Sequence, residues 1–594
     1  MLRIEDYALI GDCQTAALVG RDGSIDWLCL PRFDSGACFA ALLGTPDHGC
    51  WRLTPKGSVH SIRRRYRQGS LVLETDYETD DGAVTLIDCM PPRSSEAKLV
   101  RMVVGKRGQV PMQMQLTIRF DYGSIIPWVR GIGQGIRAVA GPDTILLHAG
   151  AAVRGENFTT VADFVVSEGQ RLPFILMWHP SHEPSPPPID PEASIRDTEH
   201  WWQEWSNRCT YNGPWREAVL QSFITLKALT YAPTGGIVAA PTTSLPEQLG
   251  GVRNWDYRYC WVRDATFTLY ALMKGGYIDE ARAWREWLLL AVAGKPSQIN
   301  IMYGLAGERR LPELELDWLP GYEGSTPVRT GNAAHQQFQL DVFGEVMDAL
   351  YLACKAGLEL DDSAWRVQRA LLDHLESAWK EPDEGIWEVR GPKRHFTHSK
   401  VMAWVAVDRM VKLVERFGLE GPVQRWRSLR AAIHEEVCLK GFDPGRNSFV
   451  QYYGGNELDA SLLMMPLVGF LPASDARIRG TVEAIEHNLM AGGFVVRYAT
   501  APGVDGLPPG EGAFLPCTFW LADNFELLGR HVDALRIFER LLDISNDVGL
   551  LSEEYNPQVQ RLVGNFPQAF SHVALINTAY NLSYRGGLST RQHS

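Results

Sequence analysis

Two acidic sites, far apart in the chain, could share one reaction. Glu388 lies in GIWEVRG (385–391), just ahead of a helical pattern. Glu553 and Glu554 lie in GLLSEEYN (549–556), in a long loop before the last helical pattern. Hydrolysis of a glycosidic bond needs one protonated and one ionised carboxyl flanking the scissile bond. Trp387 would help to desolvate Glu388, which suits a general acid. Glu553 and Glu554 are adjacent, so at most one is expected to point into a pocket, and only a closed fold could bring it to Glu388. On spacing alone, each of these carboxyls reads more readily as a solvated loop acid in a chain with 70 Asp and Glu.

A third stretch supplies groups for gripping a polyol. Residues 250–269 read GGVRNWDYRYCWVRDATFTL, and 255–270 hold two Trp, three Tyr, two Asp and two Arg. Aromatic faces stack on sugar C–H surfaces, while Arg and Asp together donate to and accept from neighbouring hydroxyls. The Arg263-Asp264 pair falls where a loop becomes an apolar helical pattern, so Asp264 is expected to serve as the helix N-cap. A salt-bridged helix start that only packs is the alternative.

Other chemistries find less support. His434-Glu-Glu-Val-Cys438 ends in Cys where a zinc helix would need His, and Ser95-Glu-Ala-Lys98 has no companion motif. The chain has no Walker loop, and His335, His395, His398 and His572 are scattered, so no metal and no cofactor are expected. A net charge of −12 disfavours a nucleic-acid partner. No run of about 18 apolar residues argues for a membrane span. The ten Cys form no CxxC pair and the N-terminus has no apolar leader, which together read as a cytoplasmic protein with free thiols. Oligomeric state is left open, a homo-oligomer included.

The elements that must position these groups fall into two regions. Residues 1–190 read as short alternating strands broken by Gly, Pro and Asp turns, an antiparallel β-sandwich. The opening hairpin turns at Asp22-Gly23 and leads to Trp27 and Arg32, which could reach over the site. A Pro-rich segment at 183–191 then breaks the pattern as a stiff extended stretch, and a linker with a Trp-bearing helix at 195–207 occupies 191–212. From 213 to 590 the period is helical, with candidates at 213–232, 264–275, 278–293, 333–356, 361–379, 397–417, 421–438, 458–469, 474–490, 515–529, 531–546 and 567–583. Paired helices with alternating short and long connections suggest six hairpins closing into an (α/α)6 barrel, giving a multidomain β plus all-α chain. An open solenoid is the alternative, though no fixed repeat is visible.

These stretches resemble glycoside hydrolase family 15, the glucoamylase-like enzymes, including members with an N-terminal β-sandwich such as trehalases. The resemblance rests on GDCQTAALVGRDGSIDWLCLPRFDS (11–35), RNWDYRYCWVRDATFTL (253–269), GYEGSTPVRTGNAAHQQFQLDVFGEVMDAL (321–350), GIWEVRG (385–391), GAFLPCTFWLADNFELLGR (512–530) and LLSEEYNP (550–557). It implies the (α/α)6 barrel and an inverting, exo-acting removal of glucose. By resemblance, Glu388 matches the general acid and Glu553 the general base, with Glu554 where many relatives have Gln. Arg263 and Asp264 match the pair that grips the non-reducing glucose, Tyr257 and Trp261 match aromatic residues of that pocket, and Arg497 matches a sugar-binding Arg. Trp387, Arg390 and Glu554 complete the expected substrate-binding set; Trp318, Tyr322 and Trp520 are further candidates for its wall or rim. The expected partner is a small carbohydrate, with α,α-trehalose favoured and maltose, isomaltose or short α-glucans as alternatives. A non-catalytic glycan-binding protein or a phosphorylase on the same kind of fold are readings of another kind.

Overall fold

Alternation along 112–116 puts Met112, Met114 and Leu116 inside and turns Gln113 and Gln115 outward, and the chain there is a strand. The computed structural model describes residues 2–93, 95–500 and 505–583. The strand containing these residues, Ala97–Thr117, organises the sheet-rich N-terminal part. Its first half pairs with Gly82–Cys89 and Arg171–Pro180. Its second half pairs with Cys50–Pro55 and Thr159–Ser167. All these pairings are antiparallel. The buried ion pair of Arg101 with Asp88, 2.8 Å apart, ties this strand to its neighbour.

Helix α1 (Pro191–Ser206) follows the Pro-rich segment. Pro191 opens it and the Asp190 side chain accepts from the amides of Glu192 and Ala193, satisfying donors that a helix start leaves free. Its Trp205 stacks on Tyr277 with ring centres 4.1 Å apart and donates to Glu280. The aromatic run therefore docks on the helical part, as its pattern predicts.

Twelve more α-helices follow among the described residues: α2 (Arg216–Ala228), α3 (Ala265–Lys274), α4 (Ile278–Val292), α5 (Asp341–Lys355), α6 (Asp362–Ala378), α7 (Thr397–Phe417), α8 (Val423–Lys440), α9 (Met464–Leu467), α10 (Ala476–Asn488), α11 (Leu515–Leu527), α12 (His531–Asp543) and α13 (Ala569–Ser583). Helices α5, α7, α11 and α13 are buried on nearly every face, whereas α4, α6, α8, α10 and α12 bury one side only. Helix α3 packs on α5, α5 on α7, and α11 on α13, which returns to α3. The short α9 and the 3-10 turn before it, Ala460–Leu463, fill the place between α7 and α11.

Two expected helices differ. The segment 458–469 is a 3-10 turn and a single α-turn, because Pro466 removes a donor and the Asp459 side chain caps the turn early. The helix expected from 333 begins at Asp341. Residues 333–336 form a 3-10 turn, Gln337 is extended, and no α-helix forms before Asp341 because the polar groups there are used elsewhere: the Phe338 amide donates to Glu384 and the Leu340 amide to Asp383.

The opening hairpin lies beneath the functional loops rather than over them. Trp27 is fully buried and its Nε1 donates to the Pro241 carbonyl at 2.8 Å. Arg32 pairs with Asp34 and Glu308. Arg258 reaches back to the Ser35 carbonyl at 3.0 Å, so the stretch 253–264 rests on the N-terminal part. Among the described residues no helix is long and apolar enough to cross a membrane. Pro502 and residues 584–590 of the expected helical region lie outside the described residues.

Candidate active site

A pocket opens where the loops 239–264 and 385–391, together with Arg497, Tyr498 and residues 505–514, meet the start of α13. Tyr257, Trp261, Arg263, Asp264, Trp387, Glu388, Arg390 and Arg497 all line it. Glu553 and Glu554 lie behind the wall, with no exposed surface.

Glu388 sits at the tip of a turn whose amide bonds back to the Gly385 carbonyl. Its φ of +58° is a left-handed conformation, which costs a non-glycine residue about 1–3 kcal/mol. Tertiary contacts hold it there. The Gln337 side-chain amide donates to the carbonyls of Glu388 and Val389, which explains why 337–340 are not helical. Arg263 donates to the Ile386 carbonyl at 2.6 Å. Trp261 Nε1 donates to Glu388 Oε1 at 2.7 Å, and Arg263 approaches the same oxygen at 3.3 Å.

The indole beside this carboxyl is therefore Trp261, not its sequence neighbour Trp387. Trp387 donates to Asp459 at 2.8 Å and packs against Phe514 and Trp520. Asp264 stands at the N-cap of α3, but its side chain makes no capping bond. It turns to Arg263 at 3.5 Å instead. Burial, opposed by Arg263 and assisted by the charge of Glu388, pushes its pKa up to about 6. Asp341, first residue of α5, is buried nearby and burial pushes it up to about 6 as well, against the pull of Arg263.

Glu554 opens the middle strand of a small three-stranded sheet, Ala513–Phe514, Glu554–Asn556 and Arg561–Val563, and Glu553 is the bend just before it, its amide donating to the Asn565 carbonyl at 3.0 Å. Glu553 accepts from the Asn565 amide at 3.1 Å. Burial first, and then the charge of Glu247, push it up to about 8 against Arg497 and the Tyr257 hydroxyl. Burial raises the Tyr257 hydroxyl most, and the charges of Glu553, Glu247 and Glu388 add to it, so Tyr257 stands within electrostatic reach of both candidate carboxyls. Gly564 has to be glycine here, since a Cβ would meet Glu553 Oε2 at 2.6 Å.

Glu554 faces Arg497. One oxygen each of Glu247, Glu511 and Glu554 lies within 4.8 Å of the others, a spacing that would suit a cation. The Arg497 Nη2 nitrogen fills that centre, 2.9 Å from Glu247, 2.8 Å from Glu511 and 2.9 Å from Glu554.

Several contributing residues carry no signal of their own in the sequence. Trp255 falls inside the aromatic stretch; it is sandwiched by Arg390 at 4.2 Å and Arg329 at 4.8 Å and donates to Glu247. Arg390 also pairs with Glu313 at 2.9 Å, at the pocket lip. Arg253, Glu247, Glu511 and Asp505 are found only by their contacts. Arg253 donates to Asp505 at 2.6 Å, and the Arg390 amide to the Asp505 carbonyl, which pins the 505–510 loop to the Glu388 turn. Trp520 lies in the wall behind Trp387. Trp318 is half-exposed and bonded to the Tyr122 carbonyl, and Tyr322 is buried against Arg561 and the Leu2 carbonyl; neither lines the pocket. His398 and His572 are buried and pushed down to about 3, and His572 bonds Ser222 as a structural group.

Comparison with known proteins adds three findings. The sequence pattern of glycosyl hydrolases family 15 matches residues 213–580, and that of the trehalase-like N-terminal region matches residues 1–200. The chain is 39% identical to a trehalase of Mycolicibacterium smegmatis over 98% of its own length and 91% of that protein. It is 33% identical to a trehalase of Thermoplasma volcanium, over 98% and 93% of the two chains. A bacterial glucoamylase solved with acarbose covers all of this chain and 97% of its own with a TM-score of 0.71 at 11% identity, a likeness of fold.

Proposed function

The chain belongs to glycosyl hydrolases family 15, and from that premise we propose that it is an inverting hydrolase that splits α,α-trehalose into two glucoses. The observation that carries this reading is the meeting of two distant motifs at one pocket: Tyr257, Trp261 and Glu388 line it together, with Trp261 packed on Tyr257 at 5.0 Å and donating to Glu388 at 2.7 Å, and Glu553 lies buried behind the same wall against Tyr257. Similarity to trehalases along nearly the whole chain supports the choice of substrate. The circuit of helix contacts from α3 to α13 and back supports an (α/α)6 barrel at 213–590, joined through 191–212 to an antiparallel β-sandwich at 1–190. A cytoplasmic setting suits a dissolved disaccharide.

In the proposed reaction, Arg263, Asp264 and Arg497 hold the hydroxyls of one glucose, with Tyr257, Trp261 and Trp387 around its ring. Such contacts lower the barrier to the extent that they tighten in the transition state. Glu388 delivers a proton to the bridging oxygen as the glycosidic bond breaks. Glu553, ionised, takes a proton from a water attacking the anomeric carbon from the other side. The attacked glucose leaves as the β-anomer and its partner as the α-anomer. A base raised to about 8 is a strong acceptor for that proton, at the cost of being ionised in only part of the molecules near neutrality.

A proton NMR time course with trehalose, maltose and isomaltose tests the reading. Equal α- and β-glucose appearing first from trehalose is the expected result. From maltose, an initial excess of α-glucose over what the mutarotated reducing end supplies would contradict inversion. Turnover of isomaltose or maltose with trehalose untouched would reassign the substrate.

A further inference from the structure

The surroundings of Arg497 hold more carboxyls than its hydrogens can serve. A guanidinium Nη2 carries two hydrogens. Both are committed: Nη2 donates to Glu247 Oε2 at 2.9 Å and to Glu511 Oε2 at 2.8 Å, while Nε donates to Glu511 Oε1. Glu554 Oε1 comes just as close to Nη2, yet neither oxygen of Glu554 has a hydrogen-bond partner, and the residue is fully buried. The charges do not balance either. Glu247, Glu511, Glu554 and Asp505 face only Arg497 and Arg253, and Arg253 is shared between Asp505 and Glu511. Glu553 precedes Glu554 in the chain and is a further carboxyl beside it, and the thiol of Cys517 on α11 adds no cation. Leaving an extra charge unpaired in such a place is expensive, and a bound proton removes it.

We propose that Glu247, Glu511 and Glu554 are positioning residues that clamp Arg497 at the sugar pocket, with Glu554 kept as a neutral carboxylic acid. The carboxylates of Glu247 and Glu511 hold the guanidinium in one orientation. Neutral Glu554 packs against it without adding a third negative charge, and it spares the proposed base Glu553 a charged neighbour. This explains how Glu can stand where resemblance to the family leads one to expect Gln: the protonated acid and the amide share shape and neutrality. The direction of the Glu554 shift agrees, raised by burial first and by the three neighbouring carboxyls.

The inference rests on the hydrolase reading for the role of Arg497, and its test has an arm that does not. Infrared difference spectra of the whole chain at neutral pH, wild type minus Glu554→Gln, should show the carbonyl stretch of one protonated carboxyl lost in the variant. The same band should weaken in Glu247→Gln, because losing one negative neighbour lets Glu554 ionise. Loss of ionised-carboxylate bands alone in Glu554→Gln overturns the proposal. In the second arm, with trehalose, Glu554→Gln should keep kcat and KM within about threefold of wild type, while Glu554→Leu raises KM more than about tenfold. Equal damage from Gln and Leu overturns it as well. Full activity of Glu388→Gln or Glu553→Gln would sink the reaction scheme and leave the infrared result standing.

Discussion

The two candidate carboxyls are held in opposite ways. Glu388 stands on a strained turn facing open space, and every group that orients it comes from far away in the chain: Trp261, Arg263 and Gln337. Glu553 lies in a bend just before a strand with no exposed surface, fixed by the backbone of Asn565 and crowded by other carboxyls. In the roles proposed, the first arrangement would keep a proton donor accessible to a leaving group. The second removes a carboxyl from bulk water and raises its affinity for a proton, as a proposed base requires. The difference illustrates how one pocket gives two chemically identical side chains different tasks through burial and charge.

Removing either function outright should have the largest effect. Glu388→Gln and Glu553→Gln should each lower kcat on trehalose by about 10³-fold or more while the circular dichroism of the fold is retained. Gly564→Ala attacks only the buried side of the comparison. With a Cβ 2.6 Å from Glu553 Oε2 at a φ of +74°, it should displace that carboxyl and cost about 10²-fold in kcat. Trp261→Phe attacks only the exposed side. Loss of the indole donor to Glu388 should cost about tenfold in kcat with KM changed less, read in steady-state kinetics.

The smallest effects are in pH dependence. A base must be ionised, so kcat/KM should rise with pH through the Glu553 ionisation, pushed up to about 8, and Glu247→Gln should move that rise to lower pH. Stability should run the other way. Glu553 holds its proton in the folded state at pH values where the unfolded chain has released it, so its contribution is full below the ordinary carboxylate range and is lost as pH rises toward about 8. Thermal midpoints of wild type and Glu553→Gln on either side of that window should converge at the acidic end and favour the variant at the alkaline end.

Much of this was legible in the sequence because it depends on local pattern. Helical periodicity marked all twelve helices of α2 to α13, and strand alternation marked the sheet-rich region, since both periods follow from backbone geometry. The pair Arg263-Asp264 and the Glu388 turn stood out through the types and density of residues around them. The expected cap at Asp264 failed because its own backbone is already helical, with φ −74° and ψ −9°, and its carboxyl turns to the adjacent Arg263. The early start assigned to α5 also failed, because Gln337 is committed to the Glu388 turn.

By itself, then, the sequence determined which segments coil and which extend, where the acidic and aromatic groups concentrate, and which family's motifs they match. Tertiary structure alone decided which indole meets Glu388, which of two adjacent glutamates faces Tyr257, and that four carboxyls would gather around two arginines. Secondary structure follows from neighbours a few residues away. A carboxyl's hydrogen bonds, burial and charge depend on groups that only chain closure brings within a few ångströms, and those decide its protonation and so its chemistry.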